Sequence, residues 1–113
     1  GAMTTREVLV EARRILTPDG AWTQRKPARD RQGRGAVYHG RAAVCWCLEG
    51  ALARAAFTDC GDRDWSAALD ACDSALPGSG RGRLIVWNDA PGRTQAEVLG
   101  LLDRAIEQEE GKA

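Results

Sequence analysis

The chain has 113 residues, enough for one domain around one hydrophobic core, and its 43% apolar content excludes a globally disordered polymer. Basic and acidic residues balance at 16 each, so the protein as a whole is not a general polyanion binder. With four Trp but only one Phe and one Tyr, the remaining apolar content is largely Ala, Leu and Val, which suits helix packing better than a wide sheet core.

Gly1-Ala2-Met3 reads as the remnant of a cleaved tag followed by a natural start, so residues 1–2 are set aside from the fold. No charged stretch leads into an apolar signal core and no apolar run approaches membrane-spanning length, so a cytoplasmic protein without membrane contact is expected. Residues 1–113 are read as a single domain.

The first helix is predicted over residues 5–16. Thr4 and Glu7 have capping-box spacing, Val8, Leu9, Ala12, Ile15 and Leu16 form one stripe, and Pro18 with Gly20 ends the helix. Residues 20–40 then form a long irregular basic loop. Between Arg25 and Arg41 six cations (Arg25, Lys26, Arg29, Arg31, Arg34, Arg41) face only Asp30, a local charge of about +5 that the rest of the chain offsets. Such a loop is either a solvated segment or a place for an anionic partner to dock; nucleic acid is not the expected one. Trp22 can anchor its start and Val37-Tyr38-His39 its end, with Gly33-Arg34-Gly35 at the tip.

A second helix, predicted over 42–57, carries Val44, Cys47, Leu48, Ala51, Leu52 and Ala55 at three- and four-residue steps and should be the centre of the core. Gly50 in its middle costs about 1 kcal/mol of helix propensity, explained either by a backbone passing closely or by tolerance. A third helix is predicted over 63–76, with Trp65, Ala68, Leu69 and Cys72 inward and Pro77-Gly78-Ser79-Gly80 as its stop. Leu84-Ile85-Val86-Trp87 reads as an extended segment laid across the helices, with a short helical turn as the alternative. The last helix follows Thr94, which repeats the capping-box spacing with Glu97, and buries Val98, Leu101, Leu102, Ala105 and Ile106. The expected fold is therefore all-α: a compact bundle of about four helices, one long irregular loop, and a short extended segment before the last helix.

Four features carry the candidate chemistry. Asn88 and Asp89 lie between an apolar strip and a capped helix, where they either form side-chain turns or fix a polar ligand in a cleft walled by Trp22 and Trp87. Arg93 and Arg41 are added as ligand-binding candidates. His39 is either structural or part of a cysteine-nucleophile arrangement with Asp89 and a thiol. Of the thiols, Cys47 falls on the expected buried face, whereas Cys45 should lie nearer the positive helix end that favours a thiolate. Cys45-Trp46-Cys47 is one residue short of a redox or zinc knuckle, and Cys60, Cys72 and His39 add no recognised ligand spacing; no metal and no cofactor is expected, and the cysteines read as small buried hydrophobes. P-loop and dinucleotide fingerprints are absent.

Together these pieces resemble a domain family of unknown function made up of small proteins from actinobacteria and their phages. The likeness rests on Trp22-Thr23-Gln24, on Cys47 followed by Gly50-Ala51-Leu52, and on Asn88-Asp89 followed by Arg93-Thr94, Glu97-Val98 and 102–106. It implies a shared fold and a single neighbourhood for Trp22, Cys47, Asn88 and Asp89; it implies no activity. The leading functional expectation is a small accessory or ligand-binding domain, its partner a small polar ligand or a protein. The alternatives are a small cysteine-dependent enzyme using Cys47 or Cys45 with His39 and Asp89, and a phage- or host-associated interaction protein contacting an anionic partner through the basic loop.

Overall fold

The computed structural model describes residues 3–58, 61–62, 65–78 and 83–112. In chain order the elements are α1 (Thr5–Leu16), β1 (Ala28–Arg29), β2 (Cys45–Trp46), α2 (Leu48–Ala56), β3 (Phe57–Thr58), β4 (Gly61–Asp62), α3 (Ser66–Ala75), α4 (Arg83–Asp89) and α5 (Gln95–Glu110). The result is a mostly helical bundle, with five helices among the described residues and two small antiparallel ladders.

α1 and α5 begin as their sequences dictate. The Thr4 hydroxyl accepts from the Glu7 amide at 3.1 Å while the Glu7 carboxylate accepts from the Thr4 amide at 2.9 Å. Thr94 and Glu97 repeat both bonds at the same distances. Two orphan donors are thereby satisfied at each helix start. Their apolar stripes, Val8, Leu9, Ala12 and Leu16 on α1 and Val98, Leu101, Leu102 and Ala105 on α5, are buried together with Leu48, Ala51 and Leu52 of α2. α1 packs on α2 and α5, α3 lies chiefly on α5, and α4 rests on α2. Among the described residues no helix is long and apolar enough to cross a membrane.

The second helix starts six residues later than the periodicity predicts. Residues 44–47 form the middle of a small ladder: Trp46 exchanges backbone bonds with Ala21 and Thr23 on one side, and Val44 and Cys47 donate to Arg29 and Pro27 on the other. Val44, expected in the core, is 41% exposed. The long loop explains this. Its backbone polar groups need partners, and residues 44–47 supply them instead of forming a helical turn. The loop is further stapled by Arg29, whose guanidinium donates to Thr23 Oγ1, the Gly33 carbonyl and the Gln24 carbonyl at 2.7–3.1 Å. Asp30 closes the tip by accepting from the Gln32 and Arg34 amides.

The strip 84–87, expected to be extended, is helical. Leu84 and Asn88 are buried one turn apart, so this face of α4 lies on the core, while Ile85 and Val86 are 50% and 72% exposed. α3 begins at Ser66 and buries Ala68, Ala71 and Cys72. Cys60, Ser79 and Gly80 lie outside the described residues, as does the tag remnant.

Gly50 is where two backbones meet. A Cβ there would overlap the Pro27 carbonyl oxygen, which also accepts the Cys47 amide at 3.1 Å. Close approach, and not tolerance, accounts for the glycine. Gly50→Ala should therefore destabilise the protein by about 1–3 kcal/mol in urea unfolding, although alanine is the better helix former by about 1 kcal/mol. A variant as stable as its parent would show that Pro27 does not press on α2.

Candidate functional site

Asn88 is the one buried polar residue of the described interior, 1% exposed. Its Oδ1 accepts from Trp22 Nε1 at 2.7 Å and from the Leu48 amide at 3.0 Å. That amide is the first of α2, an orphan donor with no partner inside its own helix. Asn88 Nδ2 donates to the Thr23 carbonyl at 3.3 Å and to Asp89 Oδ1 at 2.9 Å, which completes what a carboxamide can make. Gln24 adds a second tie, its Nε2 donating to the Asn88 and Ala90 carbonyls. One side chain thus joins the loop, α2 and α4.

Asp89 continues the chain of bonds outward. Its Oδ1 also accepts the Arg25 amide at 2.9 Å. Arg25 has φ 73°, the only described non-glycine residue in the left-handed region. That conformation costs an L-residue about 1–2 kcal/mol, and the Asp89 carboxylate holds it. Asp89 Oδ2 receives no hydrogen bond from the described residues.

Beside this network lies a cleft of about 320 Å³. One wall is the loop, through Arg25, Lys26, Pro27 and Tyr38; the floor is the start of α2, with Cys47, Glu49, Gly50 and Ala53. Trp65, Ile85, Asn88 and Asp89 close the other side. Among the described residues the Glu49 carboxylate has no ion-pair or hydrogen-bond partner, and burial pushes it above the ordinary glutamate value. Burial likewise pushes the Cys47 thiol up; the Gly50 amide, donating to Sγ at 3.2 Å, opposes this, and the charges of Glu49 and Asp89 add to it. Among the described residues no three His, Cys, Asp or Glu side chains converge as a metal-binding group.

The sequence candidates divide between this place and others. Cys47, Asn88 and Asp89 line the cleft, and Trp22 backs it through Asn88. Cys47, rather than Cys45, occupies the helix N-terminus, as the N-cap of α2; Cys45 sits half-buried in β2. His39 stacks on Phe57, centroids 4.2 Å apart, and is not among the cleft-lining residues. Arg93 lies over the Trp87 ring at 4.1 Å, donates to the Trp87 carbonyl and pairs with Glu97, so Trp87 and Arg93 brace the start of α5. Arg41 is exposed. Of the other loop cations, Arg29 is spent on loop carbonyls and Arg34 faces Asp30 at 3.8 Å.

Most of the cleft lining escaped the sequence reading as site candidates, Glu49, Trp65 and Pro27 among them. Glu49 carried a usable signal, a carboxylate interrupting the dense apolar run 42–57. Trp65 and Pro27 carried none, since only the fold brings them to α2.

The fold and site define a small helical domain in which a buried asparagine network supports a solvent-open cleft. The chain belongs to the family described as "Family of unknown function (DUF6197)", which matches residues 2–108. No curated protein and no solved structure matches it.

Two stability outcomes follow from this arrangement. Asn88→Leu keeps the branching and heavy-atom count of the side chain but strands the Trp22 indole N–H and the Leu48 amide; the expected loss is about 2–5 kcal/mol, and a loss below about 1 kcal/mol would remove Asn88 from its central place. Glu49→Gln should act in the opposite direction. A carboxyl whose folded value is raised stabilises the protein fully below its unfolded value, and that stability is lost as pH rises through the folded value. The variant should therefore melt higher than the parent at pH 7, with the difference closing as pH falls below about 4.3. A lower melting temperature at pH 7 contradicts the burial of Glu49.

Proposed function

We propose that this protein is a small-ligand-binding domain, with its ligand seated in the cleft between the loop 25–38, the first turns of α2, Trp65 and the end of α4. The observation that carries this reading is the cleft itself: about 320 Å³, with Pro27, Ala53, Trp65 and Ile85 for an apolar body and Cys47, Glu49 and Asp89 as polar points. Small-molecule sites run from roughly 300 to 1,000 Å³ and combine an apolar lining with a few convergent polar groups. At the small end of that range the ligand is a compact molecule, smaller than a dinucleotide. Asp89 contributes the oxygen that Arg25 and Asn88 leave unused, while Asn88 and Trp22 hold Asp89 and the loop in place.

A cysteine-dependent reaction in the same cleft is the second reading, favoured by the placement of Cys47 and Asp89 in one lining. Against it stands the raised thiol, since the thiolate is the nucleophile. Cys47 alkylation at neutral pH separates the two. A binding domain should react slowly until it unfolds, and rapid, selective alkylation of Cys47 in the folded protein would favour the enzyme.

Binding is tested by a fragment screen read out on backbone amide resonances. Hits should shift Gly50, Ala53 and Asp89 together. Ile85→Trp, at a half-exposed position that tolerates bulk, should weaken them at least about tenfold without lowering the melting temperature by more than a few degrees. Hits that cluster elsewhere, or that ignore Ile85→Trp, sink the proposal.

A further inference from the structure

Resting on the cleft as a ligand site, we infer that its ligand is an organic cation: an ammonium-bearing molecule with a compact apolar or aromatic body, paired with Glu49 and Asp89. The two carboxylates and the two cations of the lining are not equivalent. Glu49 and Asp89 are half-buried on α2 and α4, whereas Arg25 and Lys26 are exposed on the loop. Lys26 carries its aliphatic stem and ammonium alongside Gly35, and Arg25 gives Asp89 its backbone amide. The exposed cations keep their water, and their charge is screened there.

The carboxylates have unused capacity. Asp89 Oδ1 is filled by the Arg25 amide and Asn88 Nδ2, and Oδ2 accepts nothing from the described residues. The Glu49 carboxylate accepts no hydrogen bond from them and lies in surroundings that disfavour its charge. A half-buried carboxylate in that condition gains most from a cation that enters and shares its desolvation. Trp65 and Tyr38 in the same lining offer ring surface, which attracts cations and apolar bodies alike. An anionic ligand would meet the same two carboxylates as repulsion. The ammonium is therefore the polar group this lining selects, and the space remaining, walled by Pro27, Ala53 and Ile85, takes hydrocarbon.

A matched series tests the charge separately from the cleft. Phenethylamine, phenethyl alcohol and hydrocinnamate share a phenyl group and a short chain but carry a cation, a neutral hydroxyl and an anion. Each is titrated into the isotope-labelled protein at pH 7 while the Gly50, Ala53 and Asp89 amides are followed. The expected result is that the amine binds at least about tenfold tighter than the alcohol, as one charge-assisted pair allows. The preference should fall to near parity in Glu49→Gln, a variant chosen because it should fold more stably than the parent. Asp89→Asn, which keeps an oxygen acceptor for the Arg25 amide, should have the same effect.

If the alcohol binds as well as the amine, or hydrocinnamate binds better, the cation inference falls while the cleft stands as a ligand site. An amine preference that survives both substitutions also overturns it, because the charge would then be read elsewhere. If none of the three shifts the cleft amides at millimolar concentration, the inference is wrong and the fragment screen alone decides the cleft.

Discussion

The bond from the first amide of α2 to the Asn88 carboxamide, 3.0 Å long, is the constraint on which the arrangement around the cleft depends. A helix start has orphan donors that must be met by something. Here one of them is met by a side chain forty residues further along the chain, and the same oxygen receives the Trp22 indole. Once Asn88 is fixed in this way, its amide nitrogen has two directions left. It uses them to hold the loop backbone at Thr23 and the carboxylate of Asp89. Asp89 in turn holds Arg25 in a conformation an L-residue does not choose for itself. The loop wall, the α2 floor and the α4 end are therefore positioned by one group.

The start of α2 is crowded for the same reason. Cys47 caps the helix with its sulfur, donates its amide to Pro27, and lines the cleft. Gly50, whose amide bonds that sulfur, leaves room for the Pro27 carbonyl. A cysteine followed three residues later by glycine is thus a helix cap and a backbone crossing at once. The capping contact favours a thiolate and burial disfavours it, with burial the larger effect. The polarity of the cleft consequently rests on its carboxylates more than on its thiol.

The basic loop looks different once its partners are known. Its charge invites an anionic ligand, yet Arg29 turns inward to carbonyls and Arg34 faces Asp30. Part of the positive charge is a means of ordering a long connection without regular structure. The cations left at the cleft, Arg25 and Lys26, are exposed, and the half-buried charges there are negative. Counting charge along the sequence gives the loop its sign; burial decides which charges act on a ligand.

Sequence alone determined the helices whose caps and faces lie three or four residues apart and meet no competing backbone partner. Both capping boxes, the stripe of α1, the stripe of α5 and the ends of those helices follow from local spacing, because cap bonds and helix faces are local geometry. Asn88 and Asp89 also stood out, as short polar side chains between an apolar strip and a capped helix, but their partners Leu48, Thr23 and Arg25 did not. Tertiary structure decided the rest. Residues 44–47 carry a helical pattern and become a ladder, because the distant segments 21–23 and 27–29 need backbone partners. Residues 84–87 have the composition of a strand, but among the described residues no strand pairs with them; the burial of Leu84 and Asn88 one turn apart makes them helical. Glu49 enters the cleft, and His39 stacks on Phe57 instead, through contacts far apart in the chain. A periodicity records which residues can share a face, but the partner of that face is set by the backbone groups and side chains that the fold leaves unsatisfied.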